Sequence, residues 1–317
     1  VIRKDTKRRT LIAVSTGAAL TASLLGATGA QAALAEPAAA APDIPVTAVQ
    51  EDLKGLQSVA EANGGSRAHG EPGFKASIDY IKDKLDEAGF ETSVQEFDGS
   101  GETGYNLVAD WPGGSSDETV MVGSHLDSVG SGAGINDNGS GSAGILQVAL
   151  AVAEADLQPG KHLRFAWWGA EELGMVGSRH YVDSLPAGEV DKIGTYLNFD
   201  MIGSPNAGYF VYEDDAAVQG VFQDWFAEKG IETESSSEIN GRSDHASFAA
   251  EGVTVGGTFT GAGATMTEEQ AAKWEGQAGE AYDSCYHSAC DDVSNVNEKA
   301  LDLNTDAIAH AVWELSS

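Results

Sequence analysis

Cations are scarce in this sequence. Eighteen Lys and Arg face 49 Asp and Glu across 317 residues, for a formal net charge of −31 at pH 7. Such a chain repels a phosphate backbone, which excludes nucleic acid as a partner. The acidity otherwise concerns solubility and the attraction of cations, and it suits a protein living outside the cell among divalent metals. Cysteine is scarcer still, with Cys285 and Cys290 alone. In an exported protein that pair most simply closes one small-loop disulfide. The glycine-rich stretch from 130 to 144 lacks the Gly-Lys-Ser/Thr of a Walker loop, so it reads as a tight turn that aims Asp137, not as a phosphate cradle. No internal repeat shows, nor does a second domain.

What is present begins with a leader. Arg3, Lys4, Lys7, Arg8 and Arg9 stand against the single acid Asp5, residues 11–30 carry no charge, and Ala30-Gln31-Ala32 has the small-x-small form of a cleavage site. Residues 1–32 are therefore expected to be a secretory signal, by the general or, given Arg8-Arg9, the twin-arginine route. Ser, Thr and Gly interrupt the apolar run, which argues against a membrane anchor. Residues 33–40, rich in alanine, read as a short propeptide or linker, and 41–317 suits one α/β domain. The mature protein is expected to be secreted, monomeric and free of the membrane.

Along that domain the apolar period switches between helix and strand. Helical spacing runs over 44–62 through Val46, Val49, Leu53, Leu56 and Val59, and again through Phe74, Ile78, Ile81 and Leu85 until Gly89 stops it. Segments 91–97 and 105–111 alternate, and 119–123 is an apolar strand that ends at His125 and Asp127. Residues 143–155 have almost no polar face and predict a buried helix. The run 165–168 ends in Glu171-Glu172, the run 193–199 ends in Asp200, and 253–259 predicts a further buried strand. Helices are expected over 218–229, 247–250 and 298–315, while 261–279 is weakly patterned. The alternation predicts an α/β fold, a mixed central β-sheet covered by helices on both faces.

Acids thus accumulate after strands, where open α/β sheets place their ligand sites. Adjacent carboxylates such as Glu171 and Glu172 repel each other, and burying them requires cations or hydrogen-bond donors close by. One can ligate a metal while the other, held off it, takes a proton from an activated water. Singly, each has a plainer explanation: an acidic pair favours a helix start, His125 suits a core histidine, Asp137 a turn and Asp200 a helix cap. Together His125, Asp137, Glu171, Glu172, Asp200 and His287 offer the imidazole nitrogens and carboxylate oxygens that zinc takes.

The motifs Gly123-Ser124-His125-Leu126-Asp127-Ser128, Gly134-Ile135-Asn136-Asp137, Gly169-Ala170-Glu171-Glu172-Leu173-Gly174, Asn198-Phe199-Asp200-Met201-Ile202-Gly203 and Cys285-Tyr286-His287 occur in that order. With them the chain resembles the M28 family of di-zinc aminopeptidases over nearly all of residues 41–317. The resemblance implies a single-domain zinc-exopeptidase fold and a secreted enzyme that hydrolyses the N-terminal peptide bond of peptides and proteins, preferring large apolar N-terminal residues such as Leu. It implies two zinc ions, one held by His125 and Asp200, the other by Glu172 and His287, with Asp137 bridging. Glu171 would be the general base, and Tyr286, fixed by the Cys285–Cys290 loop, would donate to the oxyanion. Asp127 is placed to hold the free N–H of His125. Glu171, Asp200 and the backbone of Arg242 would bind the substrate's α-ammonium, with Met201, Arg242, Phe259 and Cys285 lining the side-chain pocket.

A structural or modulatory calcium ion is also implied, at Asp43, the carbonyl of Ile44, Asp302 and Asp306. Asp302 and Asp306 are i, i+4 on a helical pattern and face one way. One residue departs from the family: Asn138 follows the bridging acid where Asp is frequent, with a cis peptide between the two. The change bears on local geometry and not on the ligand set. Rival functions on the same fold are a di-zinc carboxypeptidase or deacylase, a glutaminyl cyclase and a non-catalytic binding module. The last is disfavoured because all five ligands and the base are in place.

Overall fold

The computed structural model describes residues 40–317, and the expected signal and nearly all of the expected propeptide lie outside the described residues. Seven strands, β1 (Glu91–Gly99), β2 (Glu102–Asp110), β3 (Ser115–His125), β4 (Lys161–Trp168), β5 (Ile193–Phe199), β6 (Phe210–Val211) and β7 (Thr254–Phe259), form one sheet. Its order is β1-β2-β4-β3-β5-β7-β6, with β3 at the centre. The pairs β3–β4, β3–β5 and β5–β7 are parallel, while β1–β2, β2–β4 and β6–β7 are antiparallel. The sheet is mixed, as the pattern predicts.

Helices α1 (Val46–Ala62), α2 (Pro72–Ala88), α3 (Gly141–Glu154), α5 (Ala216–Glu228) and α8 (Glu298–Ser316) cover one face, and α4 (Val176–Ser184) and α6 (His245–Ala249) cover the other. Successive side chains of a strand point to opposite faces. In β4, Phe165 and Trp167 therefore join the core with Leu146 and Ile308, while Ala166 and Trp168 pack with Tyr181 and Phe248. Both faces being covered, the strand reads as one apolar run. Trp167 and Trp168 are wholly buried, and truncating either to Ala removes about 3–5 kcal/mol.

Two helices have no counterpart in the expected pattern. The short α4 follows the acidic turn, and α7 (Glu268–Trp274) lies in the weakly patterned stretch, held at its start by a capping box between Thr267 and Gln270. Gly89 ends α2 at φ 93, a conformation open to glycine. No helix among the described residues is long and apolar enough to cross a membrane.

Candidate metal centre

Because β3, β4 and β5 run parallel side by side, their carboxyl ends open on one edge. His125 is the last residue of β3, paired with Trp168. Glu171 and Glu172 follow β4, and Asp200 follows β5 directly. Ala170, Met201 and His287 sit at φ 55, 54 and 55, a region sparsely used by residues other than glycine. Such conformations gather at functional sites, and here each belongs to or adjoins a candidate ligand or base.

The loops are pinned by polar groups from elsewhere in the chain. The Asp127 carboxylate accepts from the N–H groups of Glu171 at 3.1 Å and Glu172 at 3.3 Å. His125 Nδ1 faces Asp127, where the nearer atom is the main-chain carbonyl at 3.1 Å, with the carboxylate at 3.7 Å. Asp137 stands in a turn over Ile135–Ser140, entered by Gly134 at φ 62, where a Cβ would come within 2.4 Å of Ser128 Cβ. The Asp137–Asn138 peptide is cis. The Asn138 amide donates to Ser124 Oγ and the Phe199 carbonyl, and accepts from Gly141 and Met201 N–H, a set needing both a donor and an acceptor. Asp291 accepts from the N–H groups of Asn136 and Asp137 at 2.7 and 2.9 Å.

Six expected site residues converge. His125 Nε2 lies 3.3 Å from Asp200 Oδ1 and 3.4 Å from Asp137 Oδ1. His287 Nε2 lies 3.1 Å from Asp137 Oδ2 and 3.0 Å from Glu172 Oε2. Asp137 thus turns one oxygen to each imidazole. Two groups have the closeness a metal needs, His125–Asp137–Asp200 and Asp137–Glu172–His287, with ligand atoms within 4.8 Å of one another. Glu171 belongs to neither, although its Oε2 is 3.9 Å from His125 Nε2. Glu172 Oε1 is buried without a hydrogen-bond partner, and the donor set is nitrogen and oxygen of the kind zinc takes. The residues fit zinc.

The electrostatics follow from crowding acids in a buried place. Burial pushes Glu171 well above the usual carboxylate range, with Asp200 and Asp244 adding to it and His125 opposing. Burial likewise pushes Glu172 up to about 7. Burial also works against charge on Asp137, but hydrogen bonds from both imidazoles hold it below its ordinary value. Hydrogen bonds to Asp137 and Glu172 hold His287 up to about 10. Burial raises the Tyr286 phenol, helped by Asp137, so it stays protonated and able to donate. Its ring stacks on His287 with centroids 3.9 Å apart.

The cleft is lined by these acids and by Met201, Glu238, Ile239, Arg242, Phe259, Ala262, Tyr286 and His287. Cys285 is not among its lining residues; it forms the disulfide with Cys290. Asp244 and His245, which have no expected role, are buried, and neither Asp244 oxygen has a partner. At the other proposed ion site the Ile44 N–H donates to Asp306 Oδ1 at 2.8 Å. Burial, with Asp43 and Asp302 adding, raises Asp306 to about 6. A cavity of about 510 Å³ adjoins Asp43 and Asp306, but the convergent acids and imidazoles are at the smaller cleft.

An acid-lined cleft of this chemistry at the strand ends of an α/β sheet belongs to a metal-dependent hydrolase. Residues 106–312 match peptidase family M28, and the chain belongs to that family, an enzyme family of zinc peptidases. It is 58% identical to leupeptin-inactivating enzyme 1 of Streptomyces exfoliatus over 298 residues, 92% of this chain and 68% of that one. An aminopeptidase of Pseudomonas aeruginosa strain UCBPP-PA14 is 50% identical over 224 residues, 67% of this chain but 41% of its own length. Among solved structures, a zinc aminopeptidase from Bacillus subtilis superposes with a TM-score of 0.73 at 17% identity, covering 86% of this chain and 96% of that one, which speaks to the fold.

Proposed function

We propose that this chain is a secreted di-zinc aminopeptidase that removes N-terminal residues, large apolar ones such as Leu above all, from peptides and proteins. The observation that carries the reading is the division within the acid pair. Glu172 belongs to a ligand group and Glu171 to none, while Asp137 is shared by both groups. His125 and Asp200 would hold one zinc, Glu172 and His287 the other, and Asp137 would bridge. Zinc bound there would polarise the scissile carbonyl and acidify a water.

The remaining chemistry falls to the chain. Glu171 takes the water's proton as general base and returns a proton to the leaving amine. Its raised pKa suits that double duty. Tyr286 donates a hydrogen bond to the oxyanion as it forms. Glu171, Asp200 and the Arg242 carbonyl accept from the substrate's α-ammonium, and Met201 and Phe259 meet its side chain. Removed from the cleft, calcium at Asp43, Ile44, Asp302 and Asp306 would tie the start of the domain, residues 41–317, to α8. Residues 1–32 would direct export, with 33–40 as propeptide.

Hydrolysis of a panel of aminoacyl-p-nitroanilides, with and without chelator, tests the reading. Leu-p-nitroanilide should be cleaved and its N-acetylated form should not, because a neutral amide brings one donor and no charge to acids that would pair with an ammonium. Rapid cleavage of the acetylated substrate would favour a deacylase or endopeptidase instead.

A further inference from the structure

We propose that Arg67 is a positioning residue that locks the two ligand loops of the metal centre to each other through their main-chain carbonyls. The inference rests on the metal reading above. Arg67 lies between α1 and α2, 58 residues before the first proposed ligand, His125. It is 0% exposed, the one Lys or Arg buried among the described residues. All three guanidinium nitrogens donate to carbonyls: Nε to Ala133 at 2.8 Å, Nη1 to Leu126 and Nη2 to Gly134. The Arg67 main chain exchanges two more bonds with Ser128, donating to its Oγ at 3.0 Å and accepting from its N–H at 3.2 Å.

Those acceptors are placed with purpose for the site. Leu126 separates His125 from Asp127, and Gly134 opens the turn that carries Asp137. One planar fork therefore spans the loop that supplies a ligand of one zinc and the loop that supplies the bridge. A guanidinium presents five donors in a rigid plane, which the ammonium of lysine does not reproduce. Burying that cation is costly, and burial lowers its pKa to about 10, with Asp291, Asp127, Asp137 and Glu172 offsetting part of the cost. It remains charged at neutral pH. Charge alone would make Arg67 a hindrance, since a fixed cation near the ligands repels an arriving dication. Geometry and charge therefore push zinc affinity in opposite directions when Arg67 is replaced by a neutral residue.

Zinc affinity of metal-stripped protein, measured by competition with a chromogenic chelator, separates the two for R67K, R67M and S128A. Circular dichroism and melts establish that each variant is folded. Both Arg67 variants should bind zinc at least about tenfold more weakly than the parent, the range seen when groups that orient metal ligands are removed. Lysine should not rescue, and S128A should weaken binding less, in the same direction. A parent that binds no zinc refutes the metal reading itself. A parent that binds two equivalents beside folded variants of unchanged affinity refutes the role of Arg67 alone, as would R67M binding more tightly than the parent. Should neither Arg67 variant fold, unchanged affinity in S128A overturns the proposal.

Discussion

Replacing Glu171 by Gln removes a proton acceptor while leaving both ligand groups whole, since Glu171 belongs to neither. A positioned general base contributes about 10² or more to turnover, so kcat should fall by at least about that factor, equivalent to about 2.7 kcal/mol on the barrier. Burial already favours the neutral form of this carboxyl, so the amide fits its surroundings and the loss is not one of folding. Glu172→Gln makes the opposite substitution. Glu172 Oε2 is 3.0 Å from His287 Nε2, and neutralising it strips an anionic ligand from the Asp137–Glu172–His287 group. Zinc content should fall there and stay level in E171Q. The assay is kcat on Leu-p-nitroanilide beside zinc stoichiometry by atomic emission. Equal zinc loss in both variants, or an E171Q enzyme with parental kcat, would refute the division of labour between the paired acids.

Protons compete with zinc at this site. His287, held up to about 10, stabilises the metal-free fold fully below its unfolded value of 6.5, and that contribution is lost as pH rises toward 10. Glu172, raised by burial to about 7, destabilises the metal-free fold as pH climbs from 4.5 through 7. Metal-free protein should therefore be most stable in mild acid, and zinc affinity of the Asp137–Glu172–His287 group should rise about tenfold per unit between roughly pH 7 and 9, where His287 must lose a proton, and more steeply below about 7, where Glu172 must lose one too. Competition titrations across that range check this, and a flat profile counts against His287 and Glu172 as ligands. Calcium in the millimolar range should raise the melting temperature of zinc-loaded protein, by about 2.7 kcal/mol of stabilisation at a hundred times the dissociation constant. D302A and D306A should abolish the shift, and a parent melt that calcium leaves unmoved, or variants whose melts calcium raises as much as the parent's, would rule the site out.

Much of the architecture was legible because its signals are local. A strand buried on both faces is a short apolar run, and the residue at its end is fixed by covalent adjacency, so His125, Glu171, Glu172 and Asp200 could be assigned to one edge of a sheet before any contact was known. Gly89 and the apolar faces of α1, α2 and α8 were readable for the same reason. The helix α7 escaped because it buries Trp274 alone and has no apolar stripe; its one signal, Thr267 three residues before Gln270, is a capping box that was open to notice. His245, to which no local pattern gives a place, is buried against Tyr212.

Sequence by itself determined the kinds of candidate ligand, their order and the strands that His125, Glu171, Glu172 and Asp200 follow or end. Tertiary structure alone decided what holds them. The amides of Asn136 and Asp137 are received by Asp291, 155 and 154 residues away, and the Asp127 carboxylate reaches past its neighbour His125 to amides 44 and 45 residues on. Arg67 finds its three carbonyls 59 to 67 residues downstream. No period links such pairs. A buried polar group must find a partner wherever the packed chain brings one, and that requirement acts on distance in space, to which residue type and spacing are blind.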